Sequence, residues 1–100
     1  MMKPGSVLVN TARGGIVDEQ ALSDALDSGA VYAAGIDVFA QEPVPMDNPL
    51  LKHERVVVAP HIGSATVNTR ARMAGLAIDN ALAALAGERM PHCANPEVYD

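Results

Sequence analysis

The sequence predicts an α/β chain that contributes part of a parallel sheet. Two observations carry this. Short valine-rich runs alternate with helical stretches in the order strand, helix, strand, loop, strand, helix, the pattern of crossover-connected parallel strands. The polar, chemistry-bearing segments fall directly after the strands, where ligands of such sheets bind. A length of 100 residues allows one domain or part of one. A hydrophobic content of 49% supports a core and argues against disorder.

The first strand is Val7-Leu8-Val9, an apolar run after the Pro4-Gly5 turn signal. Uninterrupted apolarity predicts burial on both faces. Gly14-Gly15 breaks the run. Asp18 then caps a helix extending through Leu26, with Ala21, Leu22, Ala25 and Leu26 on one side and Gly29 as its stop. A second strand is predicted over 31–38. Pro43, Pro45 and Pro49 make the next stretch a loop. Val56-Val57-Val58 is the third strand, stopped by Pro60.

Thr66 opens a long helix to about Ala86, ended by Gly87. Val67, Ala71, Ala74, Ile78, Ala81 and Leu85 form one apolar face, and Met73, Leu76, Ala77 and Ala84 a second strip. A helix apolar on two sides expects two partners. The tail from Pro91 to Asp100 reads as irregular.

Composition removes several function classes. The formal net charge is -5 without a basic run, so nucleic acid is not an expected partner. Cys93 is the single cysteine, which excludes an internal disulfide and a cysteine zinc cluster. The three histidines lack ligand spacing. No apolar stretch reaches membrane-spanning length and no signal peptide is read at the start. The expected compartment is the cytoplasm. Neither a serine nucleophile elbow nor a phosphate-binding P-loop occurs.

Four residues draw attention on chemical grounds. Arg13, between a strand and two glycines, can grip a carboxylate or phosphate through two parallel hydrogen bonds; the plainer reading is a surface arginine at a turn. His61, at a strand's carboxyl end, can be a general acid or base; the plainer reading is a packed loop histidine. Glu42 can pair with an imidazole, fixing its tautomer and favouring its charged form, or be a solvated loop glutamate. Asp37, ending an apolar strand, must find donors or lose its ionisation. His53 and His92 read as structural. Asp18, Asp24 and Asp27 read as capping and solvated charge. Spacing alone leads to an arginine, a carboxylate and a histidine without a named substrate.

Three blocks take the reading further. Met2–Asp18 (MKPGSVLVNTARGGIVD), Gly35–Phe39 (GIDVF) with Glu42-Pro43, and Pro60–Thr66 (PHIGSAT) resemble the D-isomer-specific 2-hydroxyacid dehydrogenases, in that family's order and over essentially the whole chain. The resemblance implies the C-terminal part of a Rossmann-type sheet, about three strands, over 1–65. It implies a crossover helix and tail over 66–100, packing on a second domain. It implies a reductase converting a small 2-oxo acid, such as glyoxylate or hydroxypyruvate, to the D-2-hydroxy acid with NAD or NADP. Arg13 matches the substrate-gripping arginine, His61 the acid/base and Glu42 its carboxylate partner. Asp37 matches the aspartate that holds the nicotinamide carboxamide. Thr11, Ala12 and Gly63, with Arg13 and His61, match neighbours of the cofactor.

Within the family, the run from Ile62 to Thr66 followed by Asn68-Thr69-Arg70 is most similar to glyoxylate/hydroxypyruvate and 2-ketogluconate reductases. Formate dehydrogenases of the superfamily carry Gln where Glu42 stands, so that branch is disfavoured. The family's glycine-rich phosphate loop, the residue choosing NAD over NADP, and most of the substrate domain are expected upstream of Met1. The isolated chain is therefore expected to be inactive, and the full-length enzyme to be a homodimer. Two alternatives stand beside the reductase: a dinucleotide-sensing binding protein like the family's corepressors, and an inactive fragment acting only in subunit association.

Overall fold

The computed structural model describes residues 2–100. It divides into two compact units, Met1–Gly63 and Ser64–Asp100.

In the first unit three strands, β1 (Val7–Asn10), β2 (Ala33–Ile36) and β3 (Val56–Val58), form a parallel sheet in the order β1-β2-β3. Helix α1 (Glu19–Asp27) makes the crossover from β1 to β2. Asp18 caps it by accepting a hydrogen bond from the Ala21 N–H at 2.9 Å, satisfying one of the first-turn donors that no helical carbonyl can reach. Gly29 ends the segment at φ 75°, a left-handed conformation that suits glycine.

The core lies between α1 and one face of the sheet. Leu22 and Leu26 of α1 meet Ala34 and Ile36 of β2, with Val31, Phe39 and Leu50 closing the cluster. Leu26 has no exposed surface; burying a leucine contributes about 1.5–3 kcal/mol. The connection from β2 to β3 contains a 3-10 turn, Pro49–Lys52, packed against α1. Arg55 fastens the far end of α1. Its guanidinium donates to the carbonyls of Leu26 (2.6 Å) and Tyr32 (2.9 Å), supplying cationic donors where helix carbonyls lack partners.

Three expectations are corrected. β1 is not buried on both faces, because Val7 is 57% and Val9 68% exposed. The register places Val9 beside Gly35 and Gly35 beside Val57, and Val57 is also exposed. α1 covers the face carrying Leu8, Ala34 and Ile36, and an apolar run records hydrophobicity without recording which face is covered. β2 is shorter than 31–38, running Ala33–Ile36; it starts late because the Val31 and Tyr32 N–H groups donate to Ala25 and Ser6 carbonyls, outside the ladder. The tail is not wholly irregular, since Pro96–Tyr99 forms a 3-10 turn.

The second unit is built on α2 (Val67–Leu85). Thr66 caps it through the Thr69 N–H at 3.1 Å, and Gly87 follows its end at φ 74°. Asn80 and the backbone of His92 exchange two hydrogen bonds, 2.9 and 3.1 Å. They fix the tail to the helix. No residue of α2 is buried, and Val67, Met73, Ile78, Leu82 and Leu85 are exposed. No described helix is long and apolar enough to cross a membrane.

Candidate active site

The carboxyl ends of the three strands bring the singled-out residues to one edge of the sheet. Asp37 follows β2 and is buried. Its two carboxylate oxygens accept the N–H groups of Ile62 (2.8 Å) and Gly63 (2.7 Å), and its carbonyl accepts the His61 N–H at 2.9 Å. The sequence demanded donors for this carboxylate, and the turn after β3 supplies them. The Ile62 N–H outweighs the opposing effect of burial, and with the Gly63 N–H and nearby His61 it holds Asp37 below its usual 3.8.

That turn leaves His61 at φ 55°, a left-handed backbone that a side-chain-bearing residue adopts at a cost. Such strain concentrates at functional positions. The ring meets Glu42, with His61 Nδ1 2.8 Å from Glu42 Oε2. Glu42 sits in the loop after β2, with its other oxygen accepting the Phe39 N–H at 3.0 Å. These two bonds, the one from His61 foremost, hold Glu42 below its usual 4.5. An ionised Glu42 fixes the Nδ1–H tautomer and leaves Nε2 to exchange a proton with a ligand. Both side chains are partly open to solvent, 46% and 40%.

Two hollows flank Asp37, which lines both. One of about 250 Å³ is bounded by Val9, Thr11, Gly35, Val57 and Gly63. The other, about 410 Å³, is bounded by Phe39, Glu42, Pro43, Val44 and His61. A Cβ on Gly63 would stand 3.0 Å from the Asp37 carboxylate, so the absence of a side chain keeps that wall tight.

Arg13 stands apart from the pair. Its guanidinium donates to the neighbouring Ala12 carbonyl at 2.6 Å and lines neither hollow. Its loop is nevertheless held firmly. Buried Asn10, the last residue of β1, accepts the Ala12 N–H (3.1 Å) and donates to the Arg13 carbonyl (3.0 Å). On the other side Gly14 lies against the Phe39 carbonyl. Thus the structure joins Asp37, Glu42 and His61 directly, and reaches Arg13 through its backbone.

Sequence reasoning missed Asn10 and Glu19. Asn10 is a polar residue continuing an apolar strand, and that interruption was a usable signal. Glu19 had none, because its partners lie 21 and 29 residues away. His53 is structural as expected: Nε2 lies 2.7 Å from Ser23 Oγ, tying the Pro49–Lys52 turn to α1. Among the described residues no cluster could hold a metal ion.

The sheet is thus a parallel, crossover-connected one with a carboxylate-held histidine after one strand and an arginine followed by two glycines after another. Residues 1–63 match the D-isomer specific 2-hydroxyacid dehydrogenase NAD binding domain. The chain belongs to that family. It is 56% identical to glyoxylate/hydroxypyruvate reductase B of Yersinia enterocolitica over 97 residues, 97% of this chain and 30% of that protein. A glyoxylate reductase from Paecilomyes thermophila superposes with a TM-score of 0.78 at 44% identity, covering 88% of this chain and 27% of that one. An NADPH-dependent glyoxylate/hydroxypyruvate reductase from Sinorhizobium meliloti, in complex with NADP and malonate, gives 0.70 at 47% identity, covering 80% and 25%. The chain spans about 30% of the length of the curated relatives it matches.

Proposed function

We propose that this chain carries the acid/base pair of a reductase that converts a small 2-oxo acid, glyoxylate or hydroxypyruvate, to its D-2-hydroxy acid with NADH or NADPH. The observation that carries the reading is the 2.8 Å contact between His61 Nδ1 and Glu42 Oε2 at the carboxyl edge of a parallel sheet.

The residues fit the nicotinamide end of the cofactor. The hollow beside Thr11, Gly35 and Gly63 has apolar walls, and the Asp37 carboxylate at its side is ionised and oriented by two N–H groups. Each of its oxygens keeps a lone pair for a carboxamide donor. Thr11, Ala12, Arg13, Asp37, His61 and Gly63 would surround that end. The cofactor, when bound, supplies the hydride. Arg13 swings from the Ala12 carbonyl to take the substrate's carboxylate and polarise its 2-oxo group. His61 Nε2 gives its proton to the oxygen as negative charge develops there, and the ionised Glu42 stabilises the imidazolium before that transfer. Glu42 does not exchange the proton itself.

Residues 1–65 serve as the C-terminal part of the nucleotide-binding domain, and 66–100 cross back toward a substrate domain. The exposed apolar residues of α2 suit that packing. The assembled enzyme is a cytoplasmic homodimer.

The test exchanges the matching 97-residue segment of the Yersinia enterocolitica relative for this chain and measures glyoxylate and hydroxypyruvate reduction with each cofactor. Turnover within about tenfold of the parent, a difference of about 1.4 kcal/mol in barrier, is expected. A folded exchange protein that binds NADPH without turnover would refute the reductase reading and favour a dinucleotide sensor.

A further inference from the structure

We propose that Glu19 is a positioning residue for the His61–Glu42 pair, its carboxylate fixing the Phe39–Ala40 backbone from which Glu42 is presented. Glu19 is the first residue of α1 and approaches neither hollow. Its Oε1 accepts the Ala40 N–H at 2.7 Å, and its Oε2 accepts from Asn48 Nδ2 at 2.6 Å. Both are short, charge-assisted bonds. Together they span the loop that contains Glu42, one bond on each side of it.

The neighbouring contacts show why this matters. The Phe39 N–H donates to Glu42 Oε1, so the Phe39 backbone orients the carboxylate whose second oxygen holds His61. The Phe39 carbonyl abuts Gly14, next to Arg13. The next N–H, that of Ala40, belongs to Glu19. Two successive peptide groups are therefore shared among the arginine loop, the carboxylate of the pair and Glu19. Asn48, the other partner, is buried and also accepts the Leu50 N–H at 3.0 Å, which anchors Glu19's second oxygen to a fixed point. Glu19 thus sets the separation between the segment bearing Arg13 and the segment bearing Glu42 without touching a ligand. The catalytic meaning rests on the function proposed above; the geometry does not.

The test follows the Glu42 carboxyl carbon by NMR through acid pH in the ¹³C-labelled chain, for wild type, Glu19→Asp and Glu19→Gln. Glu42 is held low by the bonds from His61 and Phe39, so loosening the Phe39–Ala40 backbone raises its titration midpoint. Removing a nearby negative charge acts in the opposite direction. Glu19→Asp keeps the charge but loses the reach to both donors, and is expected to raise the midpoint above the wild-type value, toward the ordinary carboxylate range. Glu19→Gln keeps the length and the Ala40 acceptor but turns an amide N–H toward the Asn48 Nδ2 donor, and is expected to raise the midpoint less than Glu19→Asp does. An unchanged midpoint in Glu19→Asp, or an equal rise in Glu19→Gln, overturns the proposal. A second measurement needs no variant: the wild-type Ala40 amide shift should contain a step that coincides with the titration of Glu19's own carboxyl carbon, and a missing step also overturns it. Neither readout involves turnover, so failure here is distinct from failure of the reductase reading.

Discussion

Gly14→Ala is expected to be among the most damaging single-methyl additions the chain can receive. A Cβ built on Gly14 falls 1.9 Å from the Phe39 carbonyl carbon, 2.0 Å from its oxygen and 2.3 Å from the Ala40 nitrogen. All three are backbone atoms, so no side-chain rotation relieves the clash. Either the 3-10 turn Gly14–Ile16 lifts away or the loop after β2 moves, and that loop contains buried Phe39 and the N–H held by Glu42. Overpacking by one methyl costs about 1–3 kcal/mol where side chains adjust, and a backbone obstruction belongs at the upper end, about 3 kcal/mol. For a unit of this size that lowers the melting temperature by about 12–24 °C. The assay is thermal denaturation followed by the methyl resonance of Ile36, in the core beneath α1. Gly15→Ala is the control. It adds the same atom one residue later, where nothing lies within 4 Å, and should be neutral or stabilising by about 0.4–1 kcal/mol. Melting temperatures of the two variants within 2–3 °C of each other, roughly the effect of half a kcal/mol, would refute the argument from close approach.

In a family-length enzyme carrying this segment, steady-state kinetics on glyoxylate should show His61→Ala lowering kcat by about 10²–10⁴-fold with KM little changed, and Arg13→Ala impairing both; near-wild-type turnover of His61→Ala would remove it from the acid/base role. Asp37 and Glu42 both titrate below their usual 3.8 and 4.5, so the stability they contribute is present above those values and lost as pH falls through the lower folded ones. Melting temperature should accordingly fall on acidification below about pH 4.5, and Asp37→Asn should flatten that limb; an identical acid limb in the variant argues against Asp37 as a source. Leu26→Ala, at a fully buried site, should cost about 2–5 kcal/mol in urea denaturation, whereas Val9→Thr on the open sheet face should stay within about 0.5 kcal/mol; equal losses would mean that face is covered.

The elements that sequence reading located are those whose determinants are local. Asp18 and Thr66 cap their helices through bonds three residues ahead, and glycines follow the helix ends at positive φ. Each signal spans a few positions of the chain. The parallel direction of the strands was legible for a related reason, since a helix between two strands favours a crossover connection. What was not legible depends on partners far along the chain. The late start of β2 is caused by the Ser6 and Ala25 carbonyls. Arg55 earns its structural role from carbonyls 23 and 29 residues away. The site divided in the same way. Asp37 announced its need for donors because it is a carboxylate at the end of an apolar strand, and the Ile62 and Gly63 amides meet that need. Glu42 and His61 became a pair through family resemblance, since 19 residues of loop and strand separate them. Arg13's side chain turns to the neighbouring Ala12 carbonyl, a contact that its residue type does not announce.

The left-handed backbone of His61 has a consequence for redesign. An L-residue with a Cβ in that conformation costs about 1–2 kcal/mol relative to glycine, and asparagine tolerates it through local hydrogen bonding. An optimiser rewarded only for melting temperature is therefore drawn to glycine or asparagine at position 61. It would relieve the backbone strain in the turn after β3, keep the Asp37 bonds to the Ile62 and Gly63 amides, and return a well-folded chain without the imidazole. Under the function proposed above, stability and chemistry compete at one backbone torsion, so thermal selection of this chain needs position 61 held fixed.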